Sequence, residues 1–146
     1  MMAGVGFCSP LSLDEYVQNG VSVSGEWVVD RDLIYHSKAG DWYAVPRGFI
    51  TDLASIPKAL RWLIDVNGKH RRAAVLHDYL YCSQITTREE ADALFLEAMG
   101  MIGVDTYQRN AMWSGVRAFG WRYWNKRTSP DDAIQDYVPD SYFSVA

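Results

Sequence analysis

The amino-acid sequence predicts an α+β fold, a small N-terminal antiparallel sheet packed on three or four helices. Two observations carry this. The first third alternates short aromatic and β-branched runs with turn residues, and from residue 69 onward apolar residues recur at helical spacing. At 146 residues the chain is read as one domain, 1–146. It divides into a strand-rich part (1–46), a part of loops and helices (47–126) and an irregular acidic tail (127–146).

The predicted strands are Val21 to Val23, Glu26 to Val29, Leu33 to His36 and Trp42 to Val45. Turn signals separate them at Asn19-Gly20, Ser24-Gly25, Asp30 to Asp32 and Lys38 to Asp41, and Pro46 ends the last. Arg47 to Pro57 reads as an ordered loop, followed by a short helix through Leu60 to Ile64 and a turn at Asn67-Gly68. A helix from Lys69 to about Ser83 carries Ala73, His77, Leu80 and Tyr81 along one face. Thr87 followed by Glu90 is a capping-box signature. It opens a helix marked by Ala91, Leu94, Phe95, Ala98 and Ile102, and Gly100 and Gly103 signal its end. A last helix, rich in Trp, Tyr and Phe, is expected from about Asp105 to Lys126.

Composition narrows the function classes. A net charge of −4 gives no basic footprint, which argues against sequence-independent nucleic-acid binding. Cys8 and Cys82 are too few for a disulfide framework and lack paired metal-ligand spacing. No stretch approaches the roughly 18 apolar residues of a membrane span, and the N-terminus shows no signal peptide.

The chemistry concentrates between Ala73 and Phe95. His77 and Tyr81 are i and i+4 on one helix and share a face. Asp78 is rotated by about 100° toward its edge. The short connection at Ser83 to Thr86 predicts antiparallel packing of the next helix. That packing brings Asp92, an acid inside an apolar stripe, toward His77 and Tyr81. A carboxylate there fixes the imidazole's tautomer and stabilises the imidazolium after proton abstraction. Asp78 points at a neighbouring loop, where Asp52 is the obvious second carboxylate. Two carboxylates and loop oxygens suit a hard cation such as calcium, which takes 6–8 oxygen ligands.

The segments His77-Asp78-Tyr79-Leu80-Tyr81 and Ala91-Asp92-Ala93-Leu94-Phe95 resemble the HDxxY helix and ADxxF-like segment of the secreted, calcium-dependent phospholipases of the A-two class. The resemblance implies His77 as the base that activates water, Asp92 as its partner, Tyr81 as a support for Asp92 and Asp78 as a calcium ligand. Gly48 to Asp52 stands in for the calcium loop, without that loop's glycine-rich pattern. Over a longer span, VPRGFITDLASIP, AAVLHDYLY, READALF and GVRAFGWRYW are similar to an uncharacterised family of bacteriophage and prophage proteins. This second resemblance implies a phage origin and no particular activity.

Blander readings stand beside these. His77 bonded to Asp92 is equally a core histidine with no reaction to perform, and Asp52 equally a helix N-cap or turn residue. Ser55 has no feature of a nucleophile. His70, beside Arg71 and Arg72, is expected at the surface. The histidines needed for a metal phosphohydrolase built on a His-Asp pair are lacking. Trp113, Phe119, Trp121, Tyr123 and Trp124 cannot all face one side of a helix, so some are expected exposed. The acidic net charge favours a protein interface there, for self-association or virion assembly, over an anionic lipid surface. Two functions follow. One is a phage-encoded, hydrolase-like domain with a His77–Asp92 pair and a calcium site at Asp78 and Asp52, acting on lipid esters. The other is a non-enzymatic virion or assembly component, or a protein that binds a phage or host factor.

Overall fold

A computed structural model describes residues 4–52, 70–128 (the side chain of 128 excepted) and 137–144. The helix expected at 60–64, the turn at 67–68 and Ser55 lie outside the described residues.

The N-terminal part forms two three-stranded antiparallel sheets in place of the single one expected. The strands are β1 (Gly6–Phe7), β2 (Leu13–Gln18), β3 (Val21–Val29), β4 (Leu33–His36), β5 (Trp42–Val45) and β6 (Ile50–Thr51). One sheet has the order β1-β4-β5 and the other β2-β3-β6. Asn19 and Gly20, both at positive φ (52° and 79°), make the β2–β3 turn that the Asn-Gly pair signals. Ser24-Gly25 does not end a strand. Gly25 takes φ +80° inside one continuous β3, a conformation that glycine adopts without steric cost. The segment expected as a loop after Arg47 contributes β6, which pairs Thr51 with Trp27 and Ile50 with Val28 of β3.

Among the described residues the helices are α1 (Arg71–Ser83), α2 (Arg88–Met101), α3 (Thr106–Phe119) and α4 (Trp121–Thr128). The capping box at Thr87 and Glu90 is present, and the Asp105 side chain caps α3 by accepting from the Gln108 amide. Gln84, in a left-handed conformation, closes α1 and starts the short turn into α2. The aromatic helix expected as one piece is broken at Gly120. A Cβ at Gly120 would lie 2.5 Å from both the Tyr81 hydroxyl oxygen and the Val116 carbonyl oxygen, so glycine is what lets α3, α4 and α1 meet this closely. The tail is not wholly irregular: Tyr137 bridges to Phe49, Val138 is buried, and Asp140–Ser144 forms a 3-10 turn.

Leu33, Tyr35 and Val45 of the sheets pack with Leu76 and Leu80 of α1, Phe95 and Met99 of α2, and Met112 and Val116 of α3 in one buried cluster. Alternation along β4, with Leu33 and Tyr35 inward, is the signature of a strand with one buried face. Helix α1 lies at the centre, touching α2, α4, β5 and β6. It is buried along nearly its whole length, from Ala73 through Asp78 and again at Leu80 and Tyr81. Whatever polar groups it carries must therefore find partners inside the protein.

Candidate functional site

His77 and Tyr81 lie side by side on α1, their rings 4.3 Å apart, and both reach Asp92 on α2. The His77 Nε2 stands 2.7 Å from Asp92 Oδ1, and the Tyr81 hydroxyl donates to the same oxygen at 2.7 Å. An ionised carboxylate only accepts, so His77 Nε2 carries the proton in this contact and Nδ1 holds the lone pair. The ring of Phe95 packs 4.6 Å from that of His77. All three polar residues are completely buried.

The second oxygen of Asp92 belongs to arginine. Arg117 Nη1 on α3 donates to Oδ2 at 2.7 Å, and Arg88 Nη1, one turn before Asp92 on α2, stands 3.6 Å away. Arg88 also donates to the carbonyls of Val116 and Arg117, which anchors the end of α3 on the start of α2. Neither arginine was singled out in the sequence. Arg88 is recoverable, because an Arg four residues before an acid lies on its face. Arg117 is 25 residues downstream on a different helix, and no local pattern signals it.

Electrostatics follow from burial and contacts. Burial pushes the Asp92 carboxyl up, but His77, Tyr81 and Arg117 together outweigh it and hold it below its ordinary value. Burial lowers the His77 imidazole, against the pull of Asp92. At neutral pH the pair is therefore an ionised carboxylate beside a neutral imidazole. Burial and the hydrogen bond to Asp92 raise the Tyr81 phenol, which stays protonated as a donor.

Asp78 faces the other way, toward β6, where Thr51 Oγ1 donates to its Oδ2 at 2.7 Å. It is buried, not solvated as a loop-facing ligand would be. Its Oδ1 is buried with no hydrogen-bond partner among the described residues. Burial raises the carboxyl to about 6; the Thr51 bond opposes this and the charge of Asp52 adds to it. A buried, orphaned carboxylate oxygen beside a second carboxylate is a hard-donor arrangement of the kind a divalent cation relieves. Asp78 and Asp52 are the carboxylates such an ion would use, while the Arg127 charge and the Tyr123 hydroxyl also act on Asp78 and pull its carboxyl down. Among the described residues no group of three His, Cys, Asp or Glu side chains converges.

The surface expectation for His70 is overturned: it is 1% exposed. Position 70 sits three and seven residues before Ala73 and His77, so its ring follows the buried face of α1. Cys82 contacts the Tyr123 hydroxyl at 3.4 Å, and burial, reinforced by the charge of Asp78, pushes its thiol up to about 12. No helix among the described residues is long and apolar enough to cross a membrane.

Comparison with known proteins finds no matching curated protein and no matching solved structure. One family model does match, over residues 27–116, from the end of β3 into α3. That span contains Thr51, Asp52, His77, Asp78, Tyr81, Arg88 and Asp92 and stops one residue short of Arg117. It covers more than half of the 146 residues, and the chain belongs to the family described as protein of unknown function (DUF1353).

Proposed function

We propose that this protein is a phage-encoded, hydrolase-like domain in which His77 activates water for attack on an ester, with a lipid ester as the substrate class. The observation that carries the reading is the convergence of His77 Nε2 and the Tyr81 hydroxyl on one oxygen of Asp92. Asp92 holds the tautomer in which Nδ1 is the base. Arg117 and Tyr81 fix Asp92 so that it cannot rotate when the imidazole takes a proton. A neutral imidazole is the form a general base needs, and burial keeps it so. Asp78 and Asp52 are the residues that would hold calcium. When bound, the ion would lend positive charge to the oxyanion formed by addition of water to the ester carbonyl. The choice of lipid rests on the HDxxY and ADxxF resemblance, and the phage assignment on the similarity across VPRGFITDLASIP and GVRAFGWRYW.

The test is turnover of a short-chain phosphatidylcholine, dissolved as monomers, with and without millimolar calcium. Turnover should require calcium and disappear in His77→Gln, with the variant's far-ultraviolet circular dichroism unchanged. Wild-type protein with no turnover in calcium overturns the reading.

A second reading has its own observation. His77, Tyr81 and Asp92 are all fully buried, and Arg117 already neutralises Asp92. Such a network serves equally to lock α1, α2 and α3 in register. A virion or assembly component, or a protein that binds a host factor, would need nothing more from it.

A further inference from the structure

The end of the helical layer above Asp92 combines exposed apolar side chains with exposed basic ones on α4. Three elements meet there: the α1–α2 turn, the start of α2, and the α3–α4 corner at Gly120. Gln84 Nε2 donates to the Trp124 carbonyl, and Arg88 Nη1 to those of Val116 and Arg117, so the turn and the corner are held side by side. Ile85 (60% exposed), Phe119 (62%) and Trp121 (47%) emerge at this end. Arg122 follows Trp121 and lays its guanidinium 5.4 Å from the indole centroid, with Lys126 one turn further along α4. Both basic side chains are exposed, and neither pairs with a carboxylate among the described residues.

The charge of α3 and α4 bears on the occupant. Residues 106–128 contain Arg109, Arg117, Arg122, Lys126 and Arg127 and no acidic residue, although the chain as a whole carries −4. The net charge, which favoured a protein interface here, averages over a segregated molecule. Glu89 and Glu90, both exposed, stand at the rim in the first turn of α2, and Arg117 faces Glu89 at 3.9 Å. Large apolar side chains flanked by exposed Arg and Lys suit the boundary of an anionic bilayer, where rings enter the headgroup layer and cations meet phosphate. We propose that the surface formed by Ile85, Phe119, Trp121, Arg122 and Lys126 docks the protein on an anionic phospholipid surface. The choice of lipid as occupant rests on the hydrolase reading. The surface is also continuous with that site, since Arg117 runs from this end to Asp92 and Gly120 lies against Tyr81.

Cosedimentation with vesicles tests the surface apart from the chemistry. The full chain is mixed, in EDTA, with vesicles of equal parts phosphatidylglycerol and phosphatidylcholine, or of phosphatidylcholine alone. Binding should be at least about tenfold tighter to the anionic vesicles and weaken as salt is raised. The Arg122→Glu/Lys126→Glu variant should lose about tenfold or more in affinity, and Phe119→Ser/Trp121→Ser a similar amount. Because these side chains are exposed, thermal melts should show both variants folded. Equal binding to neutral vesicles, no binding to either, or binding indifferent to charge reversal overturns the proposal. So does a concentration-dependent dimer that Phe119→Ser/Trp121→Ser dissolves, because a second copy would then be the occupant. Turnover of the monomeric substrate without vesicle binding ends the docking proposal and leaves the hydrolase reading standing. Vesicle binding that persists in a protein without turnover does the reverse.

Discussion

Arg117 Nη1 lies 2.7 Å from Asp92 Oδ2, the oxygen that His77 and Tyr81 leave unused. The carboxylate is thus divided between two tasks, orienting an imidazole on one side and tying α3 to α2 on the other. Removing it affects both. Asp92→Ala strands a buried imidazole, a phenol and a guanidinium at once and should destabilise the fold by about 3 kcal/mol. The sign with pH is also fixed. A carboxyl held below its unfolded value contributes stability above that value and loses it as pH falls through the folded one. Wild-type protein should therefore lose stability below about pH 4 more steeply than Asp92→Asn. Denaturant melts at pH 7 and pH 3 measure both effects, and a variant as stable as wild type at pH 7 would mean the network is not a structural tie.

Asp78 has the opposite sign. Its carboxyl is raised to about 6, so folding favours the protonated form. Stability in metal-free buffer should be greatest near pH 4 and fall as pH rises toward and past 6. Asp78→Asn keeps an acceptor for Thr51 and carries no charge. It should be more stable than wild type at pH 8, by on the order of 2–3 kcal/mol. A loss of stability in this variant would show that the Asp78 charge is compensated by the fold itself.

How much of this was legible depends on sequence distance. His77, Tyr81 and Asp92 could be placed together because one spacing and one short connection decide it. The helix position i and i+4 sets the first two, and four residues between helices leave little choice but an antiparallel return. The capping box at Thr87 and the Asn-Gly turn are equally local and were equally readable. Arg117 was not, since its place beside Asp92 depends on how α3 crosses α2. The break at Gly120 was hidden because the approach of this glycine to Tyr81, a residue 39 positions earlier, leaves no local signal in an aromatic run. His70 was misplaced for a related reason: its charged neighbours Arg71 and Arg72 suggested a surface, but helical phase put it on the buried side. The two-residue strands β1 and β6 are too short to show any alternation, and pairing alone makes them strands.

The contact between Gly120 and Tyr81 can be tested directly. Gly120→Ala would put a methyl 2.5 Å from both the Tyr81 hydroxyl oxygen and the Val116 carbonyl oxygen, so the phenol must leave Asp92 or the helices must separate, and the backbone at the end of α3 must shift as well. A cost of about 1–3 kcal/mol is expected from such overpacking. In Tyr81→Phe, which removes the clashing oxygen, the added cost of Gly120→Ala should be smaller. A double-mutant cycle reads this coupling, and additive losses would place the strain on the Val116 carbonyl and not on Tyr81.

The two cysteines should differ in reactivity. Cys8 is exposed, whereas the Cys82 thiol is partly buried and pushed up to about 12 by burial and the charge of Asp78. The thiolate is the form that alkylates, so Cys82 is almost entirely unreactive at pH 8. Mass spectrometry after iodoacetamide treatment of the folded protein should find one adduct, on Cys8. Adducts on both would show that the contact of Cys82 with Tyr123 opens readily.

The last expectation separates the roles of the two adjacent residues on α1. A ligand that binds only the folded state raises its melting temperature by mass action, and an ion occupying a site at tens of times its dissociation constant gives a shift on the order of 5 °C. Millimolar calcium should produce such a shift in the wild type. His77→Gln should retain it, because His77 faces Asp92 and contributes no oxygen toward β6. Asp78→Asn should abolish it, because the orphaned Oδ1 is replaced by a neutral amide. The comparison is informative because the side chains are neighbours in sequence but bond different elements, one Asp92 on α2 and the other Thr51 on β6. A calcium shift equal in both variants would move the ion away from Asp78. The loss of the shift in His77→Gln alone would make the imidazole, and not the carboxylate, the residue on which the cation depends.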